Sequence, residues 1–285
     1  MAADASARSL EWRAQNYMED LPDDIGLFRD LLEKYSNIKP EKVDAHLYSI
    51  RDKGWAIHRY PCIGRWSFTN IKGLDHPSFQ AIVNRLKQPG SQEAFLDVAC
   101  CFGQVLRKLA FDGVDPARLY GTDLSPEFLD LGFELFNDRE KFEPDSFVAA
   151  DLLDPSDEGS KKLDGKITLI SAGNFFHLFD RDQQLLAAKR MVKFLKPGVT
   201  DAVILGGHIG SLKPGNSTAV TGGTRFLHDP VTFQELWDEV GRTTGTEWKV
   251  SSTWASKVTI NITGFPSESR YLVYIARQID RAASS

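Results

Sequence analysis

The chain predicts an α/β fold: a doubly wound, mostly parallel sheet with an N-terminal helical cap and a C-terminal antiparallel strand pair. Three observations lead there. From residue 94 onward the short apolar runs AFLDVA, RLYGTD, SFVAAD, KITLISAG and DAVILGG alternate with segments of helical period, which is how strands buried on both faces of a parallel sheet read. The residues before them carry apolar stripes at helical spacing. After residue 225, EWKVSSTW and RYLVYIA are joined by a turn-rich stretch, a pattern that suits an antiparallel pair at a sheet edge.

Each element has a local reason. Pro22 can open a helix in which Ile25, Phe28, Leu31, Leu32 and Tyr35 share a face; Pro40 can open a second with Val43, Leu47 and Ile50; a third carries Phe79, Ile82, Val83 and Leu86. Between the second and third, GWAIHRYPCIGRWSF (54–68) has Pro and Gly punctuation and four large aromatics, Trp55, Tyr60, Trp66 and Phe68, without helical or strand period. It reads either as an apolar substrate lid or as a plain cap packed on the sheet. Further on, Ser125 is placed to cap a helix opened by Pro126, with Phe128, Leu129, Leu135 and Phe136 inward. Another helix runs from Asp180 to Leu195, where LKPG stops it. Gly210–Gly223 is a long Gly/Ser/Thr-rich loop, either a mobile lid or a plain connection. The expected division is therefore a cap over 1–92 and a βαβαβ-type domain over 93–285.

Composition bounds the function. The 285 residues are 42% hydrophobic and 26% charged, an ordinary globular balance. With 34 Lys and Arg against 39 Asp and Glu the net charge is −5, and no long basic block is present to hold nucleic-acid phosphates. The amino end MAADASARSLEW has no apolar segment of the secretory type, and no stretch approaches the ~20 apolar residues that span a bilayer. The expectation is a cytoplasmic protein with no nucleic-acid partner and no stable membrane anchor. Three cysteines, Cys62, Cys100 and Cys101, are too few for a disulfide framework, and the six histidines show no metal-ligand spacing, so no metal is expected.

The chemistry concentrates at strand ends. The first run leads through Asp97-Val98-Ala99-Cys100-Cys101-Phe102-Gly103 into a helix. In a nucleotide-binding turn glycines recur at alternate positions, because the backbone must turn tightly and approach the ligand closely. Those positions are Ala99, Cys101 and Gly103 here, so only the last is glycine. Twenty residues on, Asp123 ends the second run in GTDLS, where a carboxylate can accept ribose hydroxyls. Asp151 ends the third in AADLLD; it can accept an adenine amino hydrogen while Leu152 packs on the ring. Each aspartate alone also reads as a helix cap or turn residue, and the aromatics Phe175 and Phe176 can stack on adenine or simply fill core.

In that order and spacing, LDVACCFG, GTDLS, AADLLD, ISAGNFFHLF and FLKPG resemble the class I S-adenosylmethionine-dependent methyltransferases over roughly residues 93 to 276. The departure is at Ala99 and Cys101, where two turn glycines are lost. The resemblance implies a Rossmann-like domain with S-adenosyl-L-methionine as donor and S-adenosyl-L-homocysteine as product. It implies donor contacts at Asp97, Ala99, Cys100, Gly103, Asp123, Leu124, Asp151, Leu152, Asn174 and Phe175. More narrowly, the helical extension followed by YPCIGRW is similar to fungal methyltransferases of meroterpenoid biosynthesis. That similarity implies secondary-metabolite chemistry: a methyl ester formed on a lipophilic carboxylic acid of the farnesyl-dimethylorsellinate type.

Methyl transfer from a sulfonium is an in-line displacement, so alignment and exclusion of water are the main demands. A carboxylic acid near pKa 4 is ~99.9% ionised at pH 7, whereas a phenol near 10 is only ~0.1% ionised, a penalty of roughly 4 kcal/mol. A carboxylate acceptor needs no base but wants a cation or donors, and Arg59 and Arg65 flank Tyr60 in the aromatic segment. Solvated surface arginines are the plainer reading of both. His177, in NFFHLF, is the candidate base for a phenol and an orienting residue for a carboxylate. Two alternatives stand beside the ester-forming enzyme: a phenol, quinone or lipid methyltransferase of the same fold, and a non-catalytic adenosine-binding scaffold. The apolar faces of the N-terminal helices also suggest a homodimer.

Overall fold

The computed structural model describes residues 12, 15–75, 77–219, 222–256, 260 and 264–279. Most of the amino-terminal segment read above for targeting, together with His76, Val220 and Thr221, lies outside the described residues. Nine strands are present among the described residues: β1 Phe95–Val98, β2 Leu119–Asp123, β3 Phe147–Ala149, β4 Leu169–Ser171, β5 Val203–Ser211, β6 Gly215–Thr218, β7 Thr224–Leu227, β8 Trp248–Trp254 and β9 Ser269–Gln278. The helices of eight residues or more are α1 Gly26–Lys34, α2 Val43–Ile57, α3 Pro77–Lys87, α4 Gln104–Phe111, α5 Pro126–Phe136, α6 Arg181–Phe194 and α7 Pro230–Thr244. The main sheet has seven strands in the order β3-β2-β1-β4-β5-β9-β8, and β6 and β7 form a separate antiparallel pair. The predicted doubly wound, mostly parallel sheet is thus present. β9 joins it by pairing antiparallel to β5 and leaves β8 as the edge strand.

By internal contacts the chain divides into two compact units: residues 1–93 with 100–149, and residues 94–99 with 150–285. The grouping of 100–149 with the first unit is a feature of the structure alone.

In the first unit the N-terminal helices find their partner within the chain. Phe28, Leu31 and Leu32 of α1 and Val43, Leu47 and Ile50 of α2 are fully buried in one cluster with Phe102 and with Phe128, Leu131, Leu135 and Phe136 of α5. These stripes, expected to be open to a second copy, are covered by the unit's own core and lend no support to a dimer. Burial of large apolar side chains is worth about 1.5–3 kcal/mol each, so the stripes are a main source of this unit's stability. Ser125 caps α5 as expected, its Oγ accepting from Phe128 N–H at 3.2 Å. The segment after α2 is not irregular throughout: a one-turn helix at Pro61–Gly64 and a 3-10 turn at Ser67–Thr69 occupy it. Gly64 admits no side chain, since a Cβ there would fall on Asn16 O and the Trp55 ring.

In the second unit β1, β4 and β5 run parallel, with Asp97 in register with Ser171 and Ser171 with Leu205. All four residues of β1 are buried. Asp180 caps α6 through a reciprocal capping box with Gln183. The Gly210–Gly223 segment resolves into the end of β5 and the strand β6, which pairs with β7 from Gly215↔Leu227 to Thr218↔Thr224. Helix α7 was not anticipated. Its signals are nevertheless in the sequence: Asp229 caps it with Thr232, Pro230 opens it, and Phe233, Leu236, Trp237 and Val240 recur at helical spacing.

Candidate active site

The turn after β1 adopts the backbone of a glycine turn without its glycines. Ala99 and Cys101 have φ of 54°, and Gly103 has φ of 67°, so all three alternate positions are left-handed. For a residue with a Cβ that conformation costs about 1–2 kcal/mol, and such strain survives only where the surroundings impose it. Gly103 must be glycine for a second reason, since a Cβ there would meet Arg107 Nη1 and, at 2.7 Å, Phe147 Cε1.

Asp123, at the end of β2, holds this turn. Its Oδ2 accepts from Cys101 N–H at 2.8 Å and its Oδ1 from Ser125 N–H at 3.1 Å. The carboxylate keeps acceptor capacity for a further donor. Burial raises the carboxyl above its ordinary range, opposed by the Ser125, Cys101 and Leu124 N–H groups. The YPCIGRW segment reaches the same place: Cys62 and Cys101 each feel the Asp123 charge. Although Cys62 meets solvent on one side, packing around its sulfur pushes the thiol up to about 12, which argues against a thiolate nucleophile. Tyr60 lies 3.9 Å from the His58 ring and 6.0 Å from Phe128. Arg59 is half-buried; Arg65 donates a long 3.4 Å bond to Gln15 O and lines a small depression with Asp24 and Lys72. Cys100 is buried and Leu124 is 58% exposed.

The second unit holds the remaining predicted residues. Asp97 is buried at the end of β1. Asp151 accepts Leu153 N–H at 2.8 Å, a turn-forming bond that occupies part of one oxygen, and Leu152 is buried. Asn174 is exposed with φ of 54°; its N–H donates to Gly207 O at 2.7 Å and its Oδ1 accepts from Tyr271 OH at 3.1 Å. Phe175 is buried against Phe176 at 5.5 Å and Phe179 at 4.9 Å, so core packing accounts for it.

His177 is the most informative of these. It is buried, and its Nδ1 accepts Ile209 N–H at 3.4 Å. The neutral ring therefore carries its own proton on Nε2 and presents a donor. Burial, reinforced by the charge of Arg225, lowers its pKa to about 3. A ring in that state is a poor general base at neutral pH. Arg225 itself was not anticipated from the sequence. In β7 Arg225 and Leu227 take the buried positions and Thr224 and Phe226 the others, a placement that the mixed T-R-F-L run does not announce by itself.

Among the described residues no group of three or more His, Cys, Asp or Glu could hold a metal ion, and no helix is long and apolar enough to cross a membrane.

Comparison with known proteins agrees with this layout. The meroterpenoid methyltransferase N-terminal domain family matches residues 14–69, and a methyltransferase domain family matches residues 95–198. O-methyltransferase phiE of a fungal species is 40% identical over 228 residues, covering 80% of this chain and 75% of that protein. Methyltransferase ausD of Penicillium brasilianum is 33% identical over 224 residues, with 78% of each chain covered. The Asnovolin E/Chermesin D methyltransferase nvfJ of Aspergillus novofumigatus is 35% identical over 225 residues, again with 78% of each. Among solved structures, the 1,6-didemethyltoxoflavin-N1-methyltransferase of Burkholderia thailandensis, with bound S-adenosylhomocysteine, superposes with a TM-score of 0.51 at 17% identity, covering 85% of this chain and 92% of that one. That likeness concerns the fold. An N-terminal helical region of the meroterpenoid type, the Rossmann-like sheet and relatives at this level of identity together place the chain in the fungal meroterpenoid O-methyltransferase family of S-adenosylmethionine-dependent enzymes.

Proposed function

We propose that the enzyme transfers a methyl group to the carboxylate of a lipophilic, prenylated aromatic-derived acid of the farnesyl-dimethylorsellinate type, forming its methyl ester in the cytoplasm. The observation that carries this reading is the state of His177. Its basic lone pair is engaged by Ile209 N–H and its ring is held neutral, so it suits an acceptor that arrives already ionised and needs a hydrogen-bond donor rather than a base. A phenol would have to lose its proton to some group at a cost of roughly 4 kcal/mol.

The residues present fit the methyl donor. Asp123 keeps acceptor capacity for a ribose hydroxyl beside its bonds from Cys101 and Ser125 N–H, and the left-handed turn at Ala99, Cys101 and Gly103 lets backbone pass close to a ligand. The methyltransferase resemblance supports further donor contacts at Cys100 and Leu124 of the first unit and at Asp97, Asn174, Asp151 and Leu152 of the second. When bound, the donor supplies an electrophilic sulfonium methyl. The chain's own work is to bind the acid, aim one carboxylate oxygen along the C–S axis and keep water out. Arg59, Tyr60 and Arg65 form the acceptor wall contributed by the aromatic segment.

The test is product analysis with methyl-labelled donor and a farnesylated aromatic acid that also carries phenolic hydroxyls. Label released by mild alkaline hydrolysis marks an ester; label that resists it marks an aryl ether and overturns the reading. The scaffold alternative is separated by a thermal melt with S-adenosylhomocysteine at about 100 times its Kd, which should add roughly 2.7 kcal/mol of stability.

A further inference from the structure

We infer that Arg225 is the cation that receives the acceptor's carboxylate. The inference rests on the ester-forming reading above and names the group that selects for an acid.

Arg225 lies on β7, opposite Ser217 of β6, and is 6% exposed. Its guanidinium lies over the Phe265 ring, 3.5 Å from the centroid, and one Nη donates to Gly264 O. Its Nε is buried with no hydrogen-bond partner among the described residues. No carboxylate among them pairs with it; Glu268, three residues beyond Phe265, is bound by Lys213 at 3.0 Å and by Ser267.

A buried cation that finds a carbonyl and a ring but no carboxylate among the described residues is costly unless an anion completes it. The alternation of β7 makes the point sharper. Position 225 is one where the strand pattern calls for an apolar residue, as at Leu227, so a charge there opposes local burial and calls for a compensating role.

Two further groups suit the same anion. The Phe265 ring lies 5.8 Å from His177, and the charge of Arg225 is felt at that imidazole. Neutral His177 offers its Nε2 proton, so Arg225 and His177 supply a charged donor and a neutral donor from one cluster. A carboxylate can accept from both and leave a lone pair for methylation. A neutral hydroxyl gains far less from a buried guanidinium, which makes Arg225 a filter for acids.

The experiment compares wild type with Arg225→Met and Arg225→Lys, using the farnesylated aromatic acid and its primary amide. In wild type saturated with S-adenosylhomocysteine, the acid should bind at least tenfold more tightly than the amide. Arg225→Met should raise KM for the acid at least thirtyfold and abolish its advantage over the amide, with Arg225→Lys intermediate and S-adenosylhomocysteine affinity within twofold of wild type. Ester formation by wild type together with an unchanged KM in Arg225→Met overturns Arg225 while sparing the ester reading. If the variants fail to fold, the wild-type comparison decides, and equal binding of acid and amide overturns the assignment. Methylation of wild-type substrate only at a hydroxyl overturns both readings at once.

Discussion

Each unit of the molecule contains two buried arginines, Arg51 and Arg107 in the first and Arg190 and Arg225 in the second, and Arg107 and Arg225 are built differently. Arg107, in the first unit, is fully enclosed; its Nε and Nη2 donate to Asp138 at 2.9 and 3.1 Å, and Tyr35 OH adds a third donor to that carboxylate at 2.8 Å. Four rings, Phe133, Phe136, Phe142 and Phe147, lie 4.2 to 5.2 Å from its guanidinium carbon. Arg225, in the second unit, has among the described residues one ring, one carbonyl and a buried Nε without a partner. Burial alone therefore does not distinguish a structural charge from a functional one; the completeness of its counter-charge does. Arg107 closes its account inside the fold, whereas Arg225 leaves a position for an anion from outside.

The largest expected effect tests that contrast directly. Arg107→Met strands the Asp138 carboxylate in the core and should cost about 3–5 kcal/mol, as breaking buried ion pairs does. Arg225→Met removes a buried charge with no carboxylate partner among the described residues, so stability should stay within about 1 kcal/mol of wild type or rise. Urea unfolding of both variants decides it; a loss at Arg225 as large as at Arg107 would mean that both arginines are structural.

Next in size is the loss at Asp123, the anion of the first unit with spare acceptor capacity. Asp123→Ala deprives the turn of its anchor for Cys101 N–H and the donor's ribose of its acceptor. Hydrogen bonds to charged groups are worth about 1.5–3 kcal/mol, so calorimetry should show S-adenosylhomocysteine affinity falling at least ~100-fold. Unchanged affinity would remove Asp123 from the donor site.

What the sequence could and could not convey follows the same division. The strand runs, Ser125 as a cap, the Asp180 helix and the order of strand-end carboxylates were all legible, because period, capping and turn chemistry are local. The left-handed φ at Ala99 and Cys101 was not, since neither residue type announces it. Nor was the use of β6 and β7: a Gly/Ser/Thr-rich stretch carries little hydrophobic pattern, so its pairing shows only in three dimensions. Without that hairpin nothing in the sequence marked Arg225 as buried. The covering of the α1 and α2 stripes by α5 is likewise a long-range fact, which is why the same stripes suggested a second copy of the chain.

The histidine beside Arg225 gives a pH test of intermediate size. His177 has a folded pKa of about 3 against a free value of 6.5. As pH falls through 6.5 the unfolded chain takes up the proton first, so the stability linked to this group is present at neutral pH and lost on acidification. Between pH 7 and 5 that amounts to about 2 kcal/mol, and His177→Gln should lose that much less over the interval. His228, also lowered to about 3 by burial, works in the same direction and remains in both proteins, so the difference isolates His177. A variant as acid-sensitive as wild type would show that the ring is not the neutral donor assigned here. In catalysis the same residue should matter modestly. His177→Ala should retain more than about a tenth of ester-forming activity, whereas loss of a true base costs 10² to 10⁴; a thousandfold drop would favour the phenol reading.

The smallest effect concerns the turn that Asp123 holds. Cys101→Gly relieves a left-handed Cβ worth about 1–2 kcal/mol but adds unfolded-state freedom worth about 0.5–1 kcal/mol, so net stability should be unchanged or rise by up to about 1.5 kcal/mol. The more telling readout is donor affinity. If the cysteine is held left-handed by its N–H bond to Asp123, glycine should keep that bond with less strain and S-adenosylhomocysteine should bind as tightly as before. Weaker binding to Cys101→Gly would mean instead that the side chain, which packs against the first unit's core, is part of the donor site, and that a non-glycine turn is a requirement of this enzyme rather than a strain it tolerates.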